Sequence, residues 1–244
     1  MEQKKKGKLK KNLLFIGALI LVLAIIIGYI TVKDSKQKEI LKKEVVAVTN
    51  KDLLKDNYDI EIKTTGDYAY IEKVIKRYFK KLSNNIKLIN NYLTDEDLIY
   101  ILSAKNLKND GPKFEKSYQT LKNTKDTITT AMQEISDLCN EDTIKSLIDK
   151  KKINSKHYEL YLELMYNKKD LEELKNTKDQ IQTTSDNLVT FLNKVEQMIN
   201  MLEKNKDYWY IENEQLYFET DNLVNQYNKL YNELNTFIKE KFPK

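Results

Sequence analysis

The chain of 244 residues is 41% hydrophobic and 32% charged, with a formal net charge of +5, one cysteine and one histidine. Six lysines (4, 5, 6, 8, 10 and 11) and one glutamate lie within residues 1–12, and removing them from the 42 basic and 37 acidic residues leaves 36 of each. Everything from Leu13 onward is thus formally neutral, which excludes the chain-wide basic field that nucleic-acid binding needs. Cys139 alone excludes an intramolecular disulfide, and His157 alone excludes a histidine-rich metal site. Arg77 is the sole arginine, and abundant Asn, Ile and Tyr beside it fit an AT-rich bacterial genome.

Residues 13–32, "LLFIGALILVLAIIIGYITV", are twenty uncharged and mostly apolar residues. A helix rises about 1.5 Å per residue, so the stretch reaches across a hydrocarbon core of about 30 Å and predicts a single transmembrane anchor in the lipid bilayer. It ends in bulky residues, which favours an uncleaved anchor over a secretory signal peptide. Residues 1–12 carry more lysine than the mixed flank Lys33, Asp34, Lys36, Lys38 and Glu39. This asymmetry predicts a cytoplasmic basic tail and an extracytoplasmic chain at the cell membrane.

Residues 33–66 are polar and lysine-rich and read as a stalk, with the alternation of "YDIEIK" (58–63) suiting a short strand. A helical-bundle domain is expected over 67–244. Its first long helix spans 67–92, capped by Asp67 and carrying Ile71, Ile75, Tyr78, Leu82, Ile86 and Ile89 on one face. Thr94 then opens a short helix with Asp97 in the reciprocal capping position, and "KNDGPK" breaks the chain. Pro112 suits the first turn of a second long helix, 112–139, with a heptad-like seam of Phe114, Tyr118, Leu121, Lys125, Ile128, Met132, Ile135 and Cys139. Two shorter helices follow, with caps near Asn140 and Ser155. A second seam runs through Leu171, Leu174, Lys178, Ile181, Ser185, Leu188, Leu192, Val195, Ile199 and Leu202. The last helix, 221–241, repeats the spacing with Leu223, Tyr227, Leu230, Leu234 and Phe237. Together these predict a mainly α protein: a transmembrane helix, then an elongated antiparallel bundle of about four long helices with short inserted helices.

Between the last two long helices, "YWYIENEQLYFE" (208–219) alternates around Asn213 and Glu214. A two-residue turn there pairs Ile211 with Leu216 and Trp209 with Phe218 on one face of a small β-hairpin, leaving Tyr210 and Tyr217 on the other. The stretch is similar to the aromatic hairpins of choline-binding wall repeats, but it occurs in one copy and has no glycine. It therefore reads first as a joint closing the bundle, with Trp209 as its anchor.

Catalytic chemistry finds no support. Only Gly66 and Gly111 lie beyond the apolar stretch, too few for a glycine-rich phosphate loop. His157 is expected to be a satisfied histidine and Cys139 a buried thiol. The acidic pairs Asp95/Asp97, Glu141/Asp142 and Glu172/Glu173 suit helix N-termini, and the lysines of "DKKK" (149–152) suit an exposed loop. No catalytic, metal or cofactor-binding residue is assigned and no cofactor is expected. The candidate interaction surface comprises Tyr158, Tyr161 and Tyr166, near the inserted helices, together with Tyr210 and Tyr217.

The expected function is that of a single-pass, membrane-anchored cell-envelope protein acting without catalysis, through contact with an envelope protein and not with nucleic acid. A sensory ectodomain, which resembles the four-helix sensory domains of chemoreceptors and histidine kinases in architecture alone, is the alternative. No second apolar span follows residue 32, so sensing would require a separate transducer. A wall-polymer-binding module is a further alternative.

Overall fold

The computed structural model describes residues 36–166 and 168–242, and within the second stretch side chains from 176 onward. The basic tail, the apolar stretch 13–32, and the seam positions Leu171 and Leu174 lie outside what is described. Among the described residues no helix is long and apolar enough to cross a membrane. The described residues are mainly helical with one two-stranded antiparallel hairpin. In chain order the elements are α1 (Lys36–Thr49), α2 (Gly66–Leu93), α3 (Glu96–Ile99), α4 (Ala104–Asp110) and α5 (Glu115–Leu138), then α6 (Glu141–Ser146) and α7 (Ser155–Met165). A 3₁₀ turn (Lys150–Lys152) separates α6 from α7, and α8 (Lys168–Lys204), β1 (Trp209–Glu212), β2 (Gln215–Phe218) and α9 (Asp221–Lys241) complete the chain. They form two compact units, one of residues 36–88 and 131–183 and the other of 89–130 and 184–242.

The first unit corrects the expectation of a stalk. Residues 36–49 form a helix whose Leu41, Val45 and Val48 are buried, and Leu53 and Tyr58 behind it are buried as well. No strand forms over 58–63. The reason lies in a charged network inside the unit. Lys76 on α2 is 7% exposed, and its ammonium donates to Glu72 Oε1 at 2.6 Å, to Glu44 Oε2 at 2.7 Å and to the Glu61 carbonyl at 2.5 Å. An ammonium has three N–H donors, so each is used. Glu72, 1% exposed, also accepts from the backbone N–H groups of Lys63 and Thr64 and from the Thr64 hydroxyl at 2.6 Å. Segment 61–64 is consequently held by a buried carboxylate instead of by strand pairing.

Helix starts are set by local side-chain oxygens. Asp95, not Thr94, caps α3 by accepting from the Asp97 N–H, while the Thr94 hydroxyl donates back to the Asn90 carbonyl. Asn140 caps α6, as its spacing predicts, and Asn154 in place of Ser155 caps α7. Asp67 sits within the first turn of α2, after Gly66 in the left-handed conformation (φ 61°). Tyr78 donates to the Leu138 carbonyl and Ser83 to the Leu53 carbonyl, linking helices and loop inside this unit.

In the second unit α5 begins at Glu115, three residues later than expected, directly after Phe114 in the left-handed conformation. The described seam positions of α5 and α8, in this unit and in the first, are buried except Tyr118, Lys125 and Lys178. Two of these use their polar ends within the unit: Tyr118 donates to Asn200 and Glu203, each at 2.7 Å, and Lys125 pairs with Glu196 at 2.7 Å. Helix α9 keeps its expected bounds, but only Leu223 and Leu234 are buried on it.

The Lys76 network makes stability depend on pH from both sides. Burial disfavours the charged carboxyls of Glu72 and Glu44, but the hydrogen bonds and the Lys76 charge outweigh it and hold both below the usual carboxylate range. Lys76 is raised above the usual lysine range, its burial outweighed by the same two carboxylates. The carboxylate contribution is present above the unfolded value of about 4.3 and lost as pH falls through the lowered folded values. The lysine contribution is present below about 10.4 and lost as pH rises through the raised value. The urea midpoint should therefore be level across neutral pH and fall at both extremes. Glu72→Gln should remove much of the acid-side fall and lower stability at pH 7 by about 3–5 kcal/mol, since it leaves a buried cation short of a partner.

Candidate functional site

The hairpin is the best-defined surface feature. Residues 208–219 alternate polar and apolar, and the strands pair in the expected register: Trp209 opposite Phe218, Tyr210 opposite Tyr217, Ile211 opposite Leu216 and Glu212 opposite Gln215. Asn213 and Glu214 take φ of 48° and 58°, the two left-handed residues of a type I′ turn, whose twist matches that of the strands. Glu219 N–H donates to the Tyr208 carbonyl at 3.0 Å, extending the ladder by one pair. The strand period of two therefore places Tyr208, Tyr210 and Glu212 of one strand on the same face as Gln215, Tyr217 and Glu219 of the other.

The inner face is fixed to the second unit by Trp209. Its indole N–H donates to the Leu202 carbonyl at the end of α8 at 2.8 Å, and its ring stacks on Phe114 with centroids 6.0 Å apart. Phe114 is fully buried with φ 52°, a conformation costing a non-glycine residue about 1–2 kcal/mol. Its N–H donates to the Asp110 carbonyl, and the Asp110 carboxylate receives the N–H groups of Lys116 and Ser117, so neighbouring contacts over-determine the conformation. Gly111 completes the seat. A Cβ there would clash with the Leu107 carbonyl and come 2.9 Å from the indole ring, so the residue is glycine for space. Sequence reasoning reads Gly111 only as part of a break; its role as the seat of Trp209 has no local signature. On the other strand Phe218 meets Tyr227 of α9 at 5.4 Å.

The outer face is open. Tyr210 and Tyr217 stack with centroids 5.4 Å apart and planes 14° from parallel, and they are 49% and 36% exposed; Tyr208 is 52% exposed. The Tyr217 hydroxyl donates to the Gln215 side chain at 2.9 Å.

The other three tyrosines of the expected surface are core residues, which corrects that assignment. Tyr158, Tyr161 and Tyr166 are 8%, 0% and 8% exposed. Tyr158, Tyr161 and Met165 follow three- and four-residue steps, so α7 has its own buried stripe, separate from the long seams. Tyr161 donates to the Ile144 carbonyl at 2.6 Å and Tyr166 lies 3.4 Å from a Glu141 carboxylate oxygen. Lys150 lies over the Tyr158 ring at 4.4 Å, and Lys152 pairs with Asp149 at 3.6 Å, giving the expected loop lysines local partners.

His157 Nδ1 is 2.7 Å from the Asn154 amide nitrogen and 3.2 Å from an Asp67 carboxylate oxygen, with the Tyr68 ring edge-on at 4.6 Å. Cys139 is 4% exposed, and burial pushes its thiol up to about 12, so it is not a poised nucleophile. Among the described residues no group of three or more His, Cys, Asp or Glu side chains could hold a metal ion. The chain matches no protein-family model, no curated protein and no solved structure in the three comparisons made.

Gly111→Ala should push Trp209 from its seat and red-shift the single tryptophan's emission. Trp209→Ala should lower stability by about 2–3 kcal/mol, less than the loss for a fully buried ring. Tyr210→Ala, on the open face, should change stability by less than about 1 kcal/mol. Native-state fluorescence checks the first outcome, and urea unfolding followed by circular dichroism checks the other two.

Proposed function

We propose that the chain is a single-pass, membrane-anchored cell-envelope protein whose helical bundle acts through protein contact and carries out no catalysis. The observation that carries the proposal is the hairpin. Its inner face is seated by Trp209, while the outer face keeps stacked tyrosines in water. Tyrosine provides a large contact area at low entropic cost and is enriched at the centres of protein interfaces. A rigid base beneath such a face limits the ordering cost of binding.

The anchor rests on residues 13–32 and the orientation on the lysines before them. The absence of catalysis rests on a single histidine and on a single, buried cysteine. In this account the bilayer holds residues 13–32, the N-terminus is cytoplasmic, and the remainder meets an envelope protein.

Two results are expected from intact producing cells. Protease added to spheroplasts should digest the chain beyond residue 33 while sparing the tail. Surface crosslinking followed by mass spectrometry should recover a protein joined to peptides near residues 204–221. A chain that stays uncut until lysis would sink the membrane topology. Recovery of no protein, together with a specific small molecule that stabilises the purified chain, would replace contact with ligand sensing.

A further inference from the structure

We propose that the outer face of the hairpin binds an extended, lysine- or arginine-rich segment of a partner protein, the cationic side chains lying on the tyrosine rings and pairing with Glu212 and Glu219. The inference rests on the contact function proposed above and specifies the chemistry of the partner.

Charge is the first support. From Asp207 to Asp221 the chain holds five acidic residues (207, 212, 214, 219 and 221) and neither lysine nor arginine. All five are exposed. Other carboxylates of this protein find cations: Glu44, Glu72, Glu134, Glu141 and Glu196 each form an ion pair with a lysine. None of the five around the hairpin forms an ion pair among the described residues. Asp221 complements the N-terminus of α9, which accounts for one of them. Of the other four, Asp207 follows Lys206 and Glu214 lies in the turn, which leaves Glu212 and Glu219 as the carboxylates on the tyrosine face.

Ring geometry is the second support. Because Tyr210 and Tyr217 stack on one another, their inner faces are occupied, and each ring offers an opposite face and an edge. A sugar ring could lie on the same outer faces, so the rings alone do not choose between ligands; the carboxylates beside them favour a cation over a neutral sugar. A compact cation needs only one ring face, whose quadrupole is negative. Glu212 is two residues from Tyr210 and Glu219 two from Tyr217 on the same face, so a cation seated on either ring has a carboxylate at the neighbouring strand position. An extended partner repeats its side chains in the same period of two, which matches the order of tyrosine and glutamate along the strands.

The test uses the full chain in nanodiscs and fluorescence anisotropy of three labelled probes: an alternating Arg-Ser decapeptide, its Glu-Ser counterpart, and a chitohexaose. The Arg-Ser peptide should bind, with affinity falling as salt rises past about 0.1 M, where the Debye length is about 10 Å. Glu212→Gln with Glu219→Gln should weaken it by about tenfold, and Tyr210→Ala with Tyr217→Ala by about fivefold to tenfold. Unchanged urea midpoints would show that both variants remain folded, as expected for changes confined to the open face. The proposal is overturned if the Arg-Ser peptide fails to bind at millimolar concentration, if both variants bind it like the wild type, or if chitohexaose alone binds and loses binding with the tyrosines. A failed peptide test with surface crosslinks still passing through residues 204–221 would refute the cationic partner and keep the contact function. Peptide binding by a chain that proves inaccessible in spheroplasts would do the reverse.

Discussion

A buried lysine is the constraint on which the first unit depends. Lys76 can sit in the interior only because Glu44, Glu72 and the Glu61 carbonyl take all three of its protons, and these groups come from α1, from its own helix and from the segment between them. A charge removed from water costs several kcal/mol unless geometry repays it. Any arrangement that displaced α1 or segment 61–64 would break the set and strand the ammonium. The network therefore selects one placement of residues 36–65 beside α2, where apolar contacts at Leu41, Val45 and Val48 alone would tolerate a shift along the helix.

The second unit uses space in place of charge. Trp209 fits because Gly111 has no side chain, because Phe114 accepts a left-handed backbone to offer its ring, and because the Leu202 carbonyl at the end of α8 receives the indole N–H. An isolated two-stranded hairpin is marginal in water. This one gains its rigidity from the inner face, which leaves its outer residues without a structural duty. Exposed tyrosines there add little to folding and concentrate aromatic surface at a fixed place.

Periodicity made the helices and the hairpin readable. The type I′ turn at Asn213–Glu214, the register of Trp209 with Phe218 and the bounds of α9 all follow from alternation and capping residues that act over a few positions. The long-range pairs left no such mark. Glu72 and Lys76 look like an ordinary surface pair four residues apart, and only the approach of Glu44 and Thr64 turns them into a buried network. Residues 36–49 read as stalk because their apolar residues are few and spaced among lysines. Tyr158 and Tyr161 lie off the long seams in sequence yet are buried, because the eleven-residue α7 carries a stripe of its own, and Tyr166 follows as its buried C-cap.

The hairpin has two unlike sides: Trp209 and Ile211 share the face that Trp209 seats on the second unit, whereas Tyr210 and Tyr217 lie on the exposed face that we propose engages a partner. Site-specific photocrosslinking in living cells separates these roles most directly. With p-benzoylphenylalanine at position 210, ultraviolet light should join the chain to a protein, and the same group at position 211 should not yield that product. Equal products from both positions, or none from 210 in a folded chain, would contradict the assignment of the outer face as the contact surface.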